Sequence, residues 1–268
     1  MTAAAAPVHT AKGAVCLTES FGPDEGRPLV FLHGAAGLLD DRRLFETLGD
    51  AGFRVSAPEL PGYGTSTGEE LLEDMLDFAL HGWDVVDALG VERPVLVGHS
   101  MGGMIAAEMA ALCPERTESL VLVAPNGLWD DDEPLADLFS LLPHEFPRLL
   151  FADETSGAAL LTGGVDFSDM GAMAEFFIGN ARRLGTAGKI LFPIPDRRLS
   201  KRLYRLRAPT LLVWGAADRY IPLSYAARWQ SLVPSASLVT LDGTGHMVPY
   251  ERPGELATAI EAFLEEEQ

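Results

Sequence analysis

The sequence predicts an α/β fold: a mostly parallel central sheet covered by helices on both faces, with a helical lid insertion. Three observations lead there. Short apolar runs recur as continuous blocks rather than in apolar–polar alternation, the pattern of strands buried on both faces. Stretches with apolar residues at helical spacing separate these runs, which is the connection parallel strands require. One span of about 80 residues, between Asn126 and Arg207, interrupts the alternation and is too long for a bare loop.

Taken in order, "RPLVFLHG" (27–34) is a buried strand, and "DDRRLFETLGDAG" (40–52) is an amphipathic helix that stops at Gly52. "FRVSAPELPGYG" (53–64) begins as a strand and runs into proline and glycine turns. "EELLEDMLDFALHGWDVVDALG" (69–90) keeps helical spacing as far as Gly90. The strand "PVLVGHS", the helix "GGMIAAEMAALCPE" and the strand "ESLVLVAP" follow. Within the long break, "LADLFSLLPHEF" (135–146) and "MGAMAEFFIGNARRLG" (170–185) read as helices. Their Leu, Phe and Met side chains need a surface to pack on, which is why the break is read as a lid over the carboxyl ends of the strands. The alternation then resumes with "APTLLVWG" (208–215), "LSYAARWQSLVP" (223–234), "ASLVTLDG" (236–243) and "GELATAIEAFLEEE" (254–267). The expected division is a core of residues 1–126 and 207–268 with a lid of residues 127–206.

Composition narrows the function classes. A formal charge of −19 leaves little to neutralise phosphates, so nucleic acid is not an expected partner. No apolar stretch approaches the length that spans a bilayer, so no membrane insertion is expected. The start "MTAAAAPVHTAKG" lacks the pattern of a signal peptide. Cys16 and Cys113 are the only cysteines, neither at zinc-ligand spacing, so the expectation is a cytoplasmic protein with no structural metal. Its cations are unevenly placed: Arg182, Arg183, Lys189, Arg197, Arg198, Lys201, Arg202, Arg205 and Arg207 crowd one segment. In "DRRLSKRLYRLRAP", Leu199, Leu203 and Leu206 fall on one helical face and cations occupy the rest. This segment reads as a solvent-facing helix pairing with the acidic body, or as the source of a cation that reaches a substrate carboxylate.

The chemistry concentrates at Gly98-His99-Ser100-Met101-Gly102, between an apolar strand and an alanine-rich helix. A Gly-x-Ser-x-Gly run in that context makes a tight, strained turn, and small flanking residues let the chain pass close to its neighbours. The serine hydroxyl is then held clear of the backbone, at a helix N-terminus whose N–H groups favour a developing oxyanion. "FLHGAAG" (31–37), "LLVWGAADRYIP" (211–222) and "DGTGHMVPYERP" (242–253) complete an ordered set of motifs. Together with "GHSMGG" they resemble the α/β-hydrolase superfamily, in its lid-bearing serine-esterase-like branch, over about residues 27–126 and 205–267. The resemblance extends to carbon–carbon bond hydrolases of the meta-cleavage type, which share fold and triad.

A nucleophile, a base and an acceptor that holds the base are needed. Ser100 takes the first role and His246 the second. Asp218 is the preferred acid, with Asp130, Asp131 and Asp132 as rivals at a position some relatives use. His99 is expected to point away from the site and His33 to be a packed structural residue. The resemblance implies an oxyanion hole of backbone N–H groups from Ala35 and Met101. No metal and no organic cofactor is required. A serine rather than an aspartate nucleophile weighs against the haloalkane dehalogenases and epoxide hydrolases that this sequence also resembles. Trp129, Phe139, Leu142, Phe176 and Met247 are the expected pocket residues, suited to a small, mostly apolar ester-like substrate. The expected activity is therefore a carboxylesterase working through an acyl-enzyme. Carbon–carbon, lactone or peracid chemistry at the same triad is the alternative, and a non-catalytic ligand-binding protein the third. The residues after His246 depart from the tryptophan-containing pattern of the meta-cleavage group. Subunit number is not readable from the sequence.

Overall fold

The computed structural model describes residues 4–192 and 198–267. Its strands and helices follow in chain order: β1 (Ala4–His9), β2 (Val15–Phe21), β3 (Arg27–Leu32), α1 (Arg43–Asp50), β4 (Phe53–Pro58), α2 (Met75–Ala88), β5 (Val95–His99), α3 (Met101–Leu112) and β6 (Ser119–Val123). They continue as α4 (Phe146–Leu150), α5 (Glu154–Thr162), α6 (Met170–Leu191), β7 (Thr210–Gly215), α7 (Ser224–Leu232), β8 (Ser237–Leu241), α8 (Val248–Glu251) and α9 (Pro253–Glu266). The strands form one sheet in the order β1-β2-β4-β3-β5-β6-β7-β8, antiparallel at β1, β2 and β4 and parallel from β4 onward.

Period-two geometry divides the core between the two faces of this sheet. Val95, Val97, Val121 and Val123 pack with Leu44 and Leu48 of α1 and with Leu256, Ile260 and Phe263 of α9. Leu96, Leu120 and Leu122 point the other way, against Phe78 and Trp83 of α2, Met104 and Ile105 of α3 and Trp229 of α7. β5 and β6 are buried along their whole length, which explains their unbroken apolar sequence. The β1–β2 hairpin is the element that apolar runs did not announce. β2 alternates buried and part-buried residues at the antiparallel side of the sheet, and β1 is largely exposed.

Three expected helices take other forms. The 69–90 stretch splits into a short 3-10 turn, Glu69–Leu71, and α2, because the Asp74 carboxylate caps the N–H groups of Leu76 and Asp77 and starts a new helix there. The 135–146 stretch is two 3-10 turns, Leu138–Ser140 and Pro143–Glu145, before α4 begins. Asp137 captures the Phe139 N–H, and Pro143 forces Leu142 into an extended conformation (φ −79°, ψ 150°) that no α-helix tolerates. The basic segment forms the 3-10 turns Leu199–Lys201 and Leu203–Arg205, with Leu199 and Leu203 buried as the apolar pattern required. Arg197 lies outside the described residues.

The excursion between β6 and β7 is tied to the core through its cations. Arg182 of α6 holds both Glu69 oxygens (2.7 and 2.9 Å) and the Ser66 carbonyl (2.8 Å), and Lys189 donates to the Leu72 carbonyl (2.9 Å). Arg202 pairs with Glu108, a buried carboxylate on α3 (2.7 Å). Among the described residues no helix is long and apolar enough to cross a membrane.

Two features of the packing are testable. A Cβ on Gly102 of α3 would fall 2.1 Å from the Leu32 carbonyl oxygen, whereas Gly179 of α6 has nothing within 4 Å. Gly102→Ala is expected to lower stability by at least ~3 kcal/mol. Gly179→Ala is expected to raise it by about 1 kcal/mol through helix propensity. Thermal unfolding of both variants checks this, and equal melting temperatures would contradict the close β3–α3 contact.

Second, His33, His81 and His99 are all buried, and burial lowers the pKa of His33 and His81 to about 4 and of His99 to about 3. The folded state keeps them neutral while the unfolded chain protonates them near pH 6.5. Their contribution is complete above that pH and is lost as pH falls toward 4, by on the order of 1 kcal/mol per imidazole at pH 5.5. Urea unfolding at pH 7.5 and pH 5.5 should show the loss, and unchanged stability would refute it.

Candidate active site

β5 delivers Ser100 to the carboxyl edge of the sheet, and α3 begins at the next residue. Ser100 has φ 55° and ψ −118°, a conformation that costs a non-glycine residue on the order of 1–3 kcal/mol. Two neighbours hold it there: its N–H donates to the Val123 carbonyl at the end of β6 (2.9 Å), and its carbonyl accepts from Asn126 N–H (3.0 Å). A Cβ at Gly98 would meet the Gly102 carbonyl oxygen at 2.4 Å, so the turn closes only with glycine there.

From the loop after β8, His246 places Nε2 2.8 Å from the Ser100 hydroxyl oxygen and Nδ1 2.8 Å from Asp218 Oδ2. Both side chains of the His246–Asp218 pair are almost fully buried. Asp218 Oδ1 accepts the N–H groups of Tyr220 and Ile221, each at 2.8 Å, which fixes the carboxylate with its second oxygen turned to the imidazole. An ionised carboxylate is an acceptor only, so His246 carries its proton on Nδ1 and offers the Nε2 lone pair to the serine hydroxyl. Asp130 instead pairs with Arg228, and Asp131 accepts from the Trp129 indole (2.8 Å). Of the four aspartates named from the sequence, Asp218 is the one brought to the imidazole.

His99 does not point away. Its Nε2–H donates to the His246 backbone carbonyl (2.9 Å), its ring centroid lies 5.0 Å from that of His246, and it lines the cleft around Ser100. The expectation rested on its place directly beside Ser100, and the sharp turn at Ser100 lets neighbouring side chains face the same side. Tyr220 was missed for a similar reason. It stands edge-on to His246 with centroids 4.9 Å apart, and only the fold of the 216–222 turn puts it there.

On the other side of Ser100 lies the loop after β3. The His33 Nδ1–H donates to the Gly34 carbonyl (2.8 Å), and its Nε2 accepts the Leu60 N–H (3.0 Å). The neutral Tyr63 phenol, its pKa raised by burial, donates to the Ala35 carbonyl (3.2 Å), and Arg183 Nη1 donates to the Ala36 carbonyl (3.3 Å). Three successive peptide planes are thereby fixed. Ala35 lines the cleft, and Met101 opens α3, whose first N–H groups have no partner within the helix.

The cleft over Ser100 is small, about 20 Å³, and is bounded by Ala35, Leu138, Leu150, Tyr220 and Met247. It shares Ala35, Ala36, Leu138 and Leu150 with a cavity of about 370 Å³ under α4, α5 and α6. Phe146, Leu161, Phe167, Phe176 and Phe177 give that cavity a mostly apolar wall. Of the five expected pocket residues, Phe176 lines the cavity and Met247 the cleft. Trp129, Phe139 and Leu142 line neither. The Trp129 indole is drawn outward by Asp131, and Phe139 packs edge-on against Phe192 (5.9 Å). Leu142 is left 58% exposed because the Pro143 turn carries it off the body.

Among the described cations of the basic segment, Arg183 reaches the cavity. Its guanidinium is half-buried and its pKa is lowered by desolvation. Its partners are neutral, the Ala36 carbonyl and Asn180 Oδ1 (2.8 Å), and among the described residues it forms no ion pair. Among the described residues no group of histidine, cysteine and carboxylate side chains could hold a metal ion.

Comparison with known proteins agrees with this architecture. A 2-hydroxy-6-oxo-6-phenylhexa-2,4-dienoate hydrolase of Burkholderia cepacia is 30% identical over 247 residues, spanning 85% of this chain and 84% of that one. The meta-cleavage product hydrolase of Pseudomonas fluorescens IP01 shares the fold with a TM-score of 0.79 at 21% identity, over 98% of each chain. A carboxylesterase structure from Nitrososphaera gargenis superimposes with a TM-score of 0.71 at 20% identity, over 97% of this chain and 98% of that one. The profile of the alpha/beta hydrolase family matches residues 29–259, and the chain belongs to that family.

Proposed function

We propose that the chain is a serine hydrolase that cleaves small, mostly apolar carboxylic esters through an acyl-enzyme. The observation that carries this reading is the unbroken hydrogen-bonded series Asp218–His246–Ser100 in a cleft that shares Ala35, Ala36, Leu138 and Leu150 with an apolar cavity. In this mechanism His246 Nε2 takes the Ser100 proton as the hydroxyl oxygen attacks the ester carbonyl carbon. The negative charge that develops on the carbonyl oxygen is met by the N–H groups of Ala35 and Met101. The tetrahedral intermediate collapses, His246 gives its proton to the departing alkoxide, and the acyl group stays on Ser100. Water, deprotonated by His246, then attacks the acyl carbon; the bond to Ser100 Oγ breaks, His246 returns the proton to the serine oxygen, and the acid leaves. Asp218 stabilises the imidazolium in both halves and holds the productive tautomer. Residues 127–206 act as a lid that keeps bulk water from the acyl group, over a core of residues 1–126 and 207–268.

A specific observation favours a second reading, hydrolysis of a carbon–carbon bond next to a ketone in a substrate that carries a carboxylate. Arg183 is a half-buried cation set against the loop that holds Ala35 and Ala36; its hydrogen-bond partners are neutral, and among the described residues it forms no ion pair, with Glu59 acting on it only at longer range. A substrate carboxylate would complete it. The dienoate hydrolase relative acts on a substrate of that chemical type, as its name states. Met247, at the position after the base, counts on the other side.

Ser100→Ala is expected to lower turnover of p-nitrophenyl esters by about 10⁴- to 10⁶-fold with the fold intact, and Asp218→Asn by about 10⁴-fold. Ester kinetics and loss of labelling by a fluorophosphonate check both, and Ser100→Ala turnover within tenfold of wild type would falsify the nucleophile assignment. A p-nitrophenyl ester series assayed beside a 6-oxo-dienoate acid separates the two readings. Under the second, Arg183→Met should raise KM for the acid by about 10- to 100-fold and leave KM for the neutral esters unchanged. Equal KM values for the acid in both proteins would remove the carboxylate from that site.

A further inference from the structure

Glu251 is a carboxylate that the steps above do not use, and both its oxygens are committed. Oε1 accepts the N–H of Gly245 (3.0 Å), the residue immediately before His246, and Oε2 accepts the N–H of Ala152 (2.8 Å). Ala152 follows α4, whose last residue, Leu150, lines both the cleft and the cavity. The Met247 N–H, on the other side of His246, donates to the Leu150 carbonyl (3.1 Å). The same turn is also held from the acid's side: Arg219, next to Asp218, donates to the carbonyls of Arg148 (2.7 Å) and Phe151 (3.4 Å). There is no slack at this junction. A Cβ on Gly245 would stand 2.7 Å from the Ala152 nitrogen and 2.9 Å from Glu251 Oε1.

We infer that Glu251 is a positioning residue for His246, acting through Gly245, and that its second oxygen ties the imidazole's place to the Leu150 wall of the substrate cavity. This inference rests on the reading of His246 as the base. The physical argument concerns donor count. Two N–H groups from segments about ninety residues apart converge on one side chain, and only a carboxylate offers two acceptor oxygens with no donor. An amide at that place accepts from one N–H and turns its own N–H₂ toward the other. One anchor is then lost, and a shift of about 1 Å in a reacting group costs on the order of 100-fold in rate. The cavity wall formed by Phe167, Phe176 and Phe177 uses none of these bonds, so substrate binding is affected far less than turnover.

The test compares Glu251→Gln, Glu251→Ala and His246→Ala in the full chain, with active sites counted by a fluorophosphonate and turnover of p-nitrophenyl butyrate expressed per labelled site. The expected result is kcat per site reduced about 10- to 100-fold in both Glu251 variants, with Glu251→Ala the lower and KM within threefold of wild type. A role confined to stability lowers the number of labelled sites but not turnover per site. If Glu251→Ala does not fold, Glu251→Asp replaces it, since one methylene less cannot span both N–H groups. Turnover per site within twofold of wild type in the Glu251 variants, beside an inactive His246→Ala, overturns the positioning role alone. An active His246→Ala overturns the base assignment beneath it.

Discussion

The backbone of one residue governs how the remaining parts are arranged. Ser100 is held at positive φ between the end of β5 and the start of α3, and three elements must meet there at close to van der Waals distance. β3 comes so near that the second residue of α3, Gly102, has no room for a Cβ, β6 accepts the Ser100 N–H, and the 34–37 loop lies against the serine Cβ. The energetic cost of the strained turn is carried by two buried strands and a helix that pack whether or not the site functions, so the strain persists in a stable protein. Because α3 follows without a linker, the end of a strand and the start of a helix coincide at one residue. That coincidence is what lets a side chain and a set of free N–H groups address the same point in space.

Around this point the fold keeps charge scarce. His33 and His99 flank the site as neutral groups, each with its proton placed by a backbone carbonyl, and their low pKa values follow from burial first, with Arg183 adding to the effect at His33 and the neighbouring imidazoles at His99. A neutral His99 beside His246 matters for the proposed chemistry. A second imidazolium 5.0 Å away would oppose protonation of the base, whereas a neutral ring that donates to the His246 carbonyl restrains the loop without that penalty. Asp218 then supplies the negative charge next to the imidazole, and it is itself satisfied by two N–H groups rather than by a cation. Among the described residues no arginine pairs with it. Arg219, its neighbour in sequence, is directed instead to carbonyls of the 148–151 turn.

What the sequence made legible follows from the range of the forces involved. The parallel strands were readable because a strand buried on both faces has no freedom in its composition, as β5 and β6 show. Ser100 and Asp218 were readable because each sits in a glycine-bearing turn at the end of such a strand, and His246 because it sits in a glycine-bearing turn after the half-exposed edge strand β8. The β1–β2 hairpin was not, since its strands are Ala-rich or half-exposed and owe their structure to pairing with each other and, through β2, with β4. Helix 135–146 failed on two local bonds, the Asp137 cap and the Pro143 restriction, that periodicity does not weigh. The pocket was the least legible part. Trp129, Phe139 and Leu142 have the right chemistry but belong to turns whose direction is set locally, by Asp131 for Trp129 and by the Asp137 cap and Pro143 for the other two. Arg183 could be placed only within a run of cations, because what separates it from Arg182 is a rotation of about 100° around α6.

That rotation also explains how α6 serves two surfaces at once. Arg182 and Lys189 face the 62–72 turn and fasten the helix to the core, and Thr186 fits so closely against Gly62 that a Cβ there would meet its hydroxyl at 2.0 Å. Arg183 and Asn180, on the adjoining face, look into the cavity. The N-terminal half has no such fastening. Phe176 and Phe177 pack on Phe167 from the preceding turn, Phe177 and Ile178 stay largely exposed, and the glycines at 171 and 179 leave the local packing thin. The cavity is thus bounded on one side by groups locked to the sheet and on the other by aromatic rings that mainly hold one another. In a small apolar site, the locked side sets the orientation of a bound substrate and the aromatic side sets its size. Substitutions near Ala35 and Arg183 and substitutions near Phe167 therefore act on different quantities, although both sets of residues line the same space.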